Sequence, residues 1–507
     1  MSKEVLEASE KIQHEYCCTV VRIGDLTPIE GSDFLATTLV NGIQIVVRKD
    51  ETKPGDIMIY AMNETALNKQ FLSANNLFEL SERALNKNYP EVQELLDKGL
   101  EDEAKRKVGF FNKHGRVKCI RLRKQPSFGF LFHPEFLYNW KPEIAGKIDF
   151  ESLVDQDFDT VDGELFVKVY VPNIPERRGY SRQPKERGVK KVDHIIDGQF
   201  FKHYDTTLLN RAIGQIRPTD VVTISVKIHG TSGIFANILC NVPKFINTKW
   251  NWFNNIINYI KVSLPERFQK TEKKYDLVYS SRNEVLNKYI KVSRKKGVLT
   301  GNTSTIWEVY ANLLKPYIPE GMTVYCEIFG YGSLYNYIPN DTKMIQKGYD
   351  YGCKVGDNMF MPYRITTQAG QGEKIYEWNV LEVYDWTLKT METMPPEVKA
   401  RIHPIDILYH GTLAELYPNI AIDENWHLNV LEALKNEKRF GMEKPEPMCI
   451  QKVPREGIVL RIDNDPLREA FKLKTVAFFE REQKLIDQGE VDGEMLEGYT
   501  SDNTEEI

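Results

Sequence analysis

A β-rich run, Val221-Val222-Thr223-Ile224-Ser225-Val226, leads directly into Lys227-Ile228-His229-Gly230-Thr231. Branched side chains are stiff at χ1 and suit a pleated sheet, so the run predicts a strand. Lys227 stands at its end, and Gly230 supplies the turn that follows. An ordinary lysine there would simply be solvated. A lysine partly buried among other cations gives up its proton more easily and exposes a lone pair for attack on phosphorus.

Four further segments, in order along the chain, combine apolar runs with charge. Ser280-Ser281-Arg282-Asn283 follows Leu277-Val278-Tyr279 and places an arginine where it can grip a sugar or phosphate. Tyr325-Cys326-Glu327-Ile328-Phe329-Gly330 sets a carboxylate inside an apolar strand. An unpaired charge there is costly, so a metal, sugar or cation is expected beside Glu327. Arg455-Glu456-Gly457-Ile458-Val459-Leu460 sets a second carboxylate just ahead of an apolar strand. Ala470-Phe471-Lys472-Leu473-Lys474 spaces two lysines by two, which on a strand points both to one face. Two such ammonium groups repel unless an anion such as a triphosphate lies between them.

The N-terminal part reads as antiparallel β structure. Cys18–Ile23 predicts a strand, Phe34–Val40 and Ile43–Arg48 flank the hairpin signal Asn41-Gly42, and Ile57–Tyr60 follows a Pro-Gly turn. Residues 75–107 read as helical. Val117–Arg123 alternates basic and apolar residues, so one face is expected to be buried and the other cationic. Five short strands with one long interruption predict an OB-like barrel, a fold that often binds nucleic acid. Residues 142–195 read as a basic linker carrying Arg177, Arg178, Arg182, Lys185, Arg187, Lys190 and Lys191. Strands alternate with helices from 196 to 485, and 486–507 has the composition of a disordered acidic tail. The expected divisions are therefore 1–141, 142–195, 196–485 and 486–507. Between Lys244 and Lys296, Trp250, Trp252, Phe253 and Tyr259 interleave with lysines and arginines. Such a mixture can stack bases and track phosphates. It equally suits an amphipathic helix packed on its domain, which is the preferred reading.

Bulk properties narrow the function classes. At 507 residues, 41% hydrophobic and 27% charged, the chain has an ordinary globular balance. It contains no apolar run of about 18 residues that would span a membrane. Met1-Ser2-Lys3-Glu4-Val5 lacks a secretory layout, and seven cysteines without a C-x-x-C pair predict reduced thiols and no structural zinc. A net charge of −5 argues against a nucleic-acid partner, but the basic run reverses that locally.

In this order the five segments resemble the covalent nucleotidyltransferase superfamily of ligases and capping enzymes. Lys227-Ile228-His229-Gly230-Thr231, with His where most members have Asp or Glu, is similar to the RNA ligase 2 branch. Asp25–Asp33, Val46–Lys49 and Pro54–Asp56 resemble the OB domain that type-5 RNA ligases carry ahead of the ligase domain. Together the resemblance spans most of residues 15–480. It implies an α+β chain: an N-terminal OB-like β-barrel followed by an adenylyltransferase (ATP-grasp-like ligase) domain of antiparallel sheets with helices. It further implies that ATP leaves AMP covalently on Lys227, with His229 and Gly230 beside the nucleotide. Arg282 would contact the ribose or phosphates and Glu327 the ribose hydroxyls. Tyr384, in Leu381-Glu382-Val383-Tyr384-Asp385, is read as a strand residue stacked on adenine. Glu456 would hold the metal, Mg2+ or Mn2+, while Lys472 and Lys474 grip the α-phosphate and the pyrophosphate. Val226 departs from the branch, which often has Glu there, so that contact is absent or supplied elsewhere.

The implied activity joins 3′-hydroxyl and 5′-phosphate RNA ends through lysyl-AMP and an adenylated 5′ end, in RNA repair or nick sealing. The expected setting is a monomer in the cytoplasm of a bacterial or phage-infected cell. Its partners would be RNA ends, including those in a nicked duplex or RNA/DNA hybrid, and no membrane. A DNA ligase and a capping guanylyltransferase share the segments, and an inactive nucleic-acid-binding relative is a third alternative. His229, the leading OB domain, and the joint presence of Lys227, Glu327, Glu456, Lys472 and Lys474 count against them.

Overall fold

The computed structural model describes residues 5–10, 12, 14, 16–171, 188–202, 204, 206–265, 268–300, 305–370, 372–463 and 469–490. These form two compact units: the described residues up to 171 with 479–488, and those from 188 to 478 with 489 and 490. No helix among the described residues is long and apolar enough to cross a membrane.

In the first unit, Asn41 and Gly42 take positive φ values of 48° and 69°. They close the tight hairpin between Leu35–Val40 and Ile43–Arg48, the geometry an Asn-Gly pair favours. Ile57–Ala61 pairs with Cys18–Arg22 on one side and Phe130–Phe132 on the other. Helices Lys69–Ala74, Tyr89–Asp97 and Glu101–Arg106 lie in the long interruption. Phe71, Phe132, Phe158 and Phe166 pack into one aromatic core. The strand expected at Val117–Arg123 covers Cys119–Leu122. Arg116 and Lys118, just ahead of it, reach Asp487 at 3.3 and 3.0 Å, and Arg121 within it pairs with Glu480.

Residues 142–195 are not one linker. Asp157–Phe158, Thr160–Val161 and Val167–Val169 pair with strands of the first unit, whereas Val189–Asp193, which contains Lys190 and Lys191, pairs with Tyr289–Ser293 of the second. Strands of two or three residues leave no sustained periodicity in the sequence, although Phe158, Val161, Phe166 and Val167 are all buried. Arg177, Arg178, Arg182, Lys185 and Arg187 lie outside the described residues. So does the acidic tail from 491 onward, while residues 486 and 487 end the helix Val476–Asp487.

The second unit contains two five-stranded sheets. One runs Thr207–Leu208, Ala470–Lys474, Gly457–Ile462, Val221–Lys227, Ile407–Thr412. The other runs Thr271–Ser280, Thr231–Pro243, Met322–Gly330, Asn358–Thr367, Tyr376–Glu377. We refer to them as the lysine sheet and the glutamate sheet. In the lysine sheet Val222, Ile224, Ile458, Leu460, Phe471 and Leu473 bury one face against a core that includes Trp426 and Leu434. Alternation therefore turns the residues between them to the other face. Leu381–Asp385, expected as a strand, belongs to the helix Val380–Thr393. Asn379 and Glu382 form a reciprocal capping box at its start. That local signal outweighs a five-residue apolar alternation.

Candidate active site

Lys227 is the last residue of a lysine-sheet strand, and Thr231 is the first of a glutamate-sheet strand. Ile228-His229-Gly230 is therefore the crossing between the sheets. A Cβ on Gly230 would lie 2.3 Å from the Ile328 carbonyl oxygen, so only glycine passes here without displacement. Its N–H donates to Glu327 Oε1 at 2.9 Å, and its carbonyl accepts from Gln346 Nε2 at 2.6 Å. The His229 N–H donates to the Tyr351 hydroxyl at 2.8 Å. The buried His229 ring meets Tyr349 and Phe478 edge-on, with centroids 5.1 and 5.0 Å away. Burial, and then the Glu456 charge, hold the Tyr351 phenol well above its ordinary range, so it stays neutral.

Cross-strand register aligns Lys227, Gly457 and Lys474 in one row, and Ser225, Val459 and Lys472 in the row two residues along. Directly opposed residues share a face, so all three lysines rise from the face turned away from the apolar core. Glu456 immediately precedes the central strand, and its side chain is only 1% exposed. Its Oε1 lies 2.8 Å from Lys227 Nζ and 3.4 Å from Lys474 Nζ, while Oε2 lies 3.9 Å from His229 Nδ1. Lys474 Nζ also sits 5.1 Å from the Phe478 ring centre. One carboxylate thus lies between Lys227 and Lys474, whereas the pair expected to share an anion is Lys472 and Lys474. Around Glu456 the backbone is tightly held. Arg455 is buried, with Nε 2.8 Å from Glu446 Oε2 and Nη1 donating to the Phe440 carbonyl at 2.6 Å. A Cβ on Gly457 would approach the Leu473 carbonyl oxygen to 2.0 Å.

The structure thereby joins Lys227, His229, Gly230, Glu327, Glu456 and Lys474 in one contact network. Lys472 shares their sheet face. Tyr384 is partly buried against the apolar cluster that contains Val226 and Ile228. Arg282 lies in the turn after Thr271–Ser280, whose last residue pairs with Ile234 of the strand leaving the crossing. Among the described residues, no three His, Cys, Asp or Glu side chains converge as a metal-binding group.

Sequence reasoning missed Gln346, Tyr349, Tyr351 and Phe478, which wrap the crossing but carry no motif of their own. It also missed a second buried charge cluster. Arg364 Nε lies 2.8 Å from Glu377 Oε1, and Arg461 Nη1 lies 3.5 Å from the same oxygen. Arg364 belongs to the glutamate sheet and Arg461 to the lysine sheet, opposite Thr223 on the face that bears Lys227. Burial, and next the charge of Arg364, push Arg461 down to about 9. A charge inside the apolar run Ile458–Ile462 was a usable signal, of the same kind that singled out Glu327.

Several solved structures of the Naegleria gruberi RNA ligase align with this chain at low identity. A mutant with AMP and Mn is 15% identical, with a TM-score of 0.49, covering 92% of this chain and 99% of that one. A mutant with ATP and Mn is 15% identical, with a TM-score of 0.46, covering 92% and 97%. The ligase with PPi is 14% identical, with a TM-score of 0.45, covering 92% and 99%. No curated protein matches the chain. An OB-fold domain model matches residues 17–85, the stretch that holds the Asn41-Gly42 hairpin and the strands Cys18–Arg22 and Ile57–Ala61. The N-terminal part of this chain is therefore an OB-fold domain.

Proposed function

We propose that the chain is an ATP-dependent RNA ligase in which Lys227 carries AMP. The observation that supports this most directly is the buried Glu456 carboxylate between Lys227 and Lys474, at the crossing of the two sheets. An ammonium group has no lone pair, and Glu456 Oε1 is placed to accept the proton that Lys227 must lose. The freed amine attacks the α-phosphorus of ATP. An N–P bond forms, the bond to the bridging oxygen breaks, pyrophosphate leaves with that electron pair, and the second proton of the amine passes to the departing pyrophosphate or to solvent. Lys472 and Lys474, on the same sheet face, meet the negative charge that gathers on phosphorus oxygens.

In the second step an oxygen of an RNA 5′-phosphate attacks the AMP phosphorus and displaces Lys227, which regains a proton. In the third, a 3′-hydroxyl oxygen attacks the activated 5′-phosphorus, its proton leaves, and AMP departs. Arg282, Glu327 and Tyr384 are assigned to the ribose, phosphates and adenine. Glu456 would hold Mg2+ or Mn2+ once an adenylated Lys227 no longer faces it as a cation. One carboxylate plus substrate phosphates suffices for such a hard ion. When bound, the ion neutralises charge on the reacting phosphoryl group. The OB-fold domain is assigned to the RNA strand.

Incubation with labelled ATP or GTP, followed by a denaturing gel, tests the reading. Label from ATP should stay on the protein and vanish in Lys227→Ala. Label from GTP alone would favour a capping guanylyltransferase, and no label from either would leave an inactive binding protein. Joining assays with defined RNA and DNA strands then separate RNA from DNA ligation.

A further inference from the structure

The helix Asn251–Ser263 buries two asparagines beside Val262 and leaves large apolar side chains exposed. Its buried stripe is Asn254, Asn258 and Val262, spaced by four. Asn258 accepts from the Ile246 N–H at 2.7 Å and donates to the Ile246 carbonyl at 3.0 Å. Asn254 does the same with Thr248, at 2.9 and 2.8 Å. The outward stripe is apolar: Phe253, Ile260 and Leu264 are exposed, Ile260 by 51%, and Trp250 and Trp252 at the helix start by 66% and 64%. Surface helices ordinarily bury the apolar stripe and hydrate the polar one. A contiguous exposed apolar surface of this kind marks an interaction site.

The charges beside it indicate which partner fits. Lys249, Lys270 and Lys274 are exposed on the segments entering and leaving the helix. A Cβ on Gly297 would lie 2.7 Å from Asn255 Oδ1, which sets the exposed turn Arg294-Lys295-Lys296 against the middle of the helix. The helix itself contains one cation, Lys261. A helix made to lie on an anionic membrane carries its own lysines and arginines on an open polar face. Here Asn254 and Asn258 are buried, and the cations other than Lys261 belong to neighbouring strands and turns. Exposed rings with cations on the adjoining segments match an unpaired nucleic-acid strand, whose bases stack on rings while its phosphates meet lysines.

We propose that this helix and its flanking lysines bind a single-stranded stretch of RNA remote from the ends being joined. The 13-residue strand Thr231–Pro243 links the crossing to this region, a separation of about 40 Å at the rise of an extended chain. The identity of the strand as RNA rests on the ligase reading; the stacking surface does not.

The test uses the full chain and measures binding of a labelled single-stranded RNA, a blunt duplex RNA, and vesicles of phosphatidylserine with phosphatidylcholine. Trp250→Ala with Trp252→Ala should weaken single-strand binding by about tenfold or more, the scale of losing stacked bases. Duplex binding, melting temperature and labelling by ATP should be unchanged. Lys270→Glu with Lys274→Glu, which leaves the helix intact, should weaken the same binding and flatten its salt dependence. Unchanged single-strand affinity in both variants overturns the proposal, as does vesicle binding that is lost in the tryptophan variant while RNA binding persists. If the wild type takes no AMP yet the tryptophan variant loses single-strand binding, the ligase reading fails and this surface stands.

Discussion

Glu456 is the counter-ion of Lys227: its Oε1 stands 2.8 Å from Nζ, and the carboxylate is buried. The same oxygen reaches Lys474 at 3.4 Å, so one negative charge serves two cations. Removing the side chain of either lysine would leave that carboxylate with one cation instead of two. The adenylation proposed at Lys227 would have to disturb this pair.

The nucleophile is the most direct prediction. Lys227→Ala should abolish covalent labelling by ATP. Lys227→Arg should fail as well, because a guanidinium stays protonated at any working pH. Label that survives denaturation in either variant would assign the nucleophile elsewhere.

Replacing Glu456 separates charge from volume. Glu456→Gln keeps the shape but leaves Lys227 and Lys474 facing each other without an anion. The expected cost is about 2 kcal/mol, below that of fully buried pairs because both lysines reach solvent in part. Thermal melts give this cost, and the labelling rate should fall far more than the melting temperature does. Labelling at the wild-type rate would remove Glu456 from the first step.

Lys474 offers a comparison between two steps. Lys474→Ala leaves the Lys227–Glu456 pair in place, so the melting temperature should stay near wild type while labelling drops by orders of magnitude. A strand already adenylated at its 5′ end bypasses the attack on ATP. If Lys474 serves mainly the pyrophosphate, the variant should seal that strand far better than it labels itself. Equal losses would place Lys474 on the α-phosphate throughout.

The cluster of Arg364, Glu377 and Arg461 predicts a stability effect without a motif. Glu377→Gln leaves two buried guanidinium groups without their shared carboxylate, at a cost of about 3 kcal/mol or more. Adding Arg461→Met should recover part of that loss, since it removes one of the stranded charges. A double variant no more stable than the single one would show that Glu377 acts through packing instead.

Gly230 is sterically constrained. Gly230→Ala drives a methyl to within 2.3 Å of the Ile328 carbonyl oxygen and disturbs the amide that Glu327 holds. Both the melting temperature and covalent labelling should fall. A variant that melts and labels normally would mean that the crossing has slack the structure does not show.

Much of this was legible because local rules act over a few residues. Asn41-Gly42 specified a hairpin, and the alternation in Ala470–Lys474 specified that Lys472 and Lys474 share a face. The cost of an unpaired charge marked Glu327 and Glu456 as residues in need of partners. Which partners they take was settled only by tertiary structure. Glu327 satisfies a backbone amide at the crossing, and Glu456 pairs with Lys227, a residue far away along the chain. Periodicity records which face a side chain occupies, but not which distant strand comes to lie opposite it. The same limit explains Leu381–Asp385, where five residues could not tell a strand from the first turns of a capped helix. It also explains Asn251–Ser263, whose stripes are readable in sequence. That the asparagines face inward goes with the loop at 246–248, whose backbone groups they bond in a buried position.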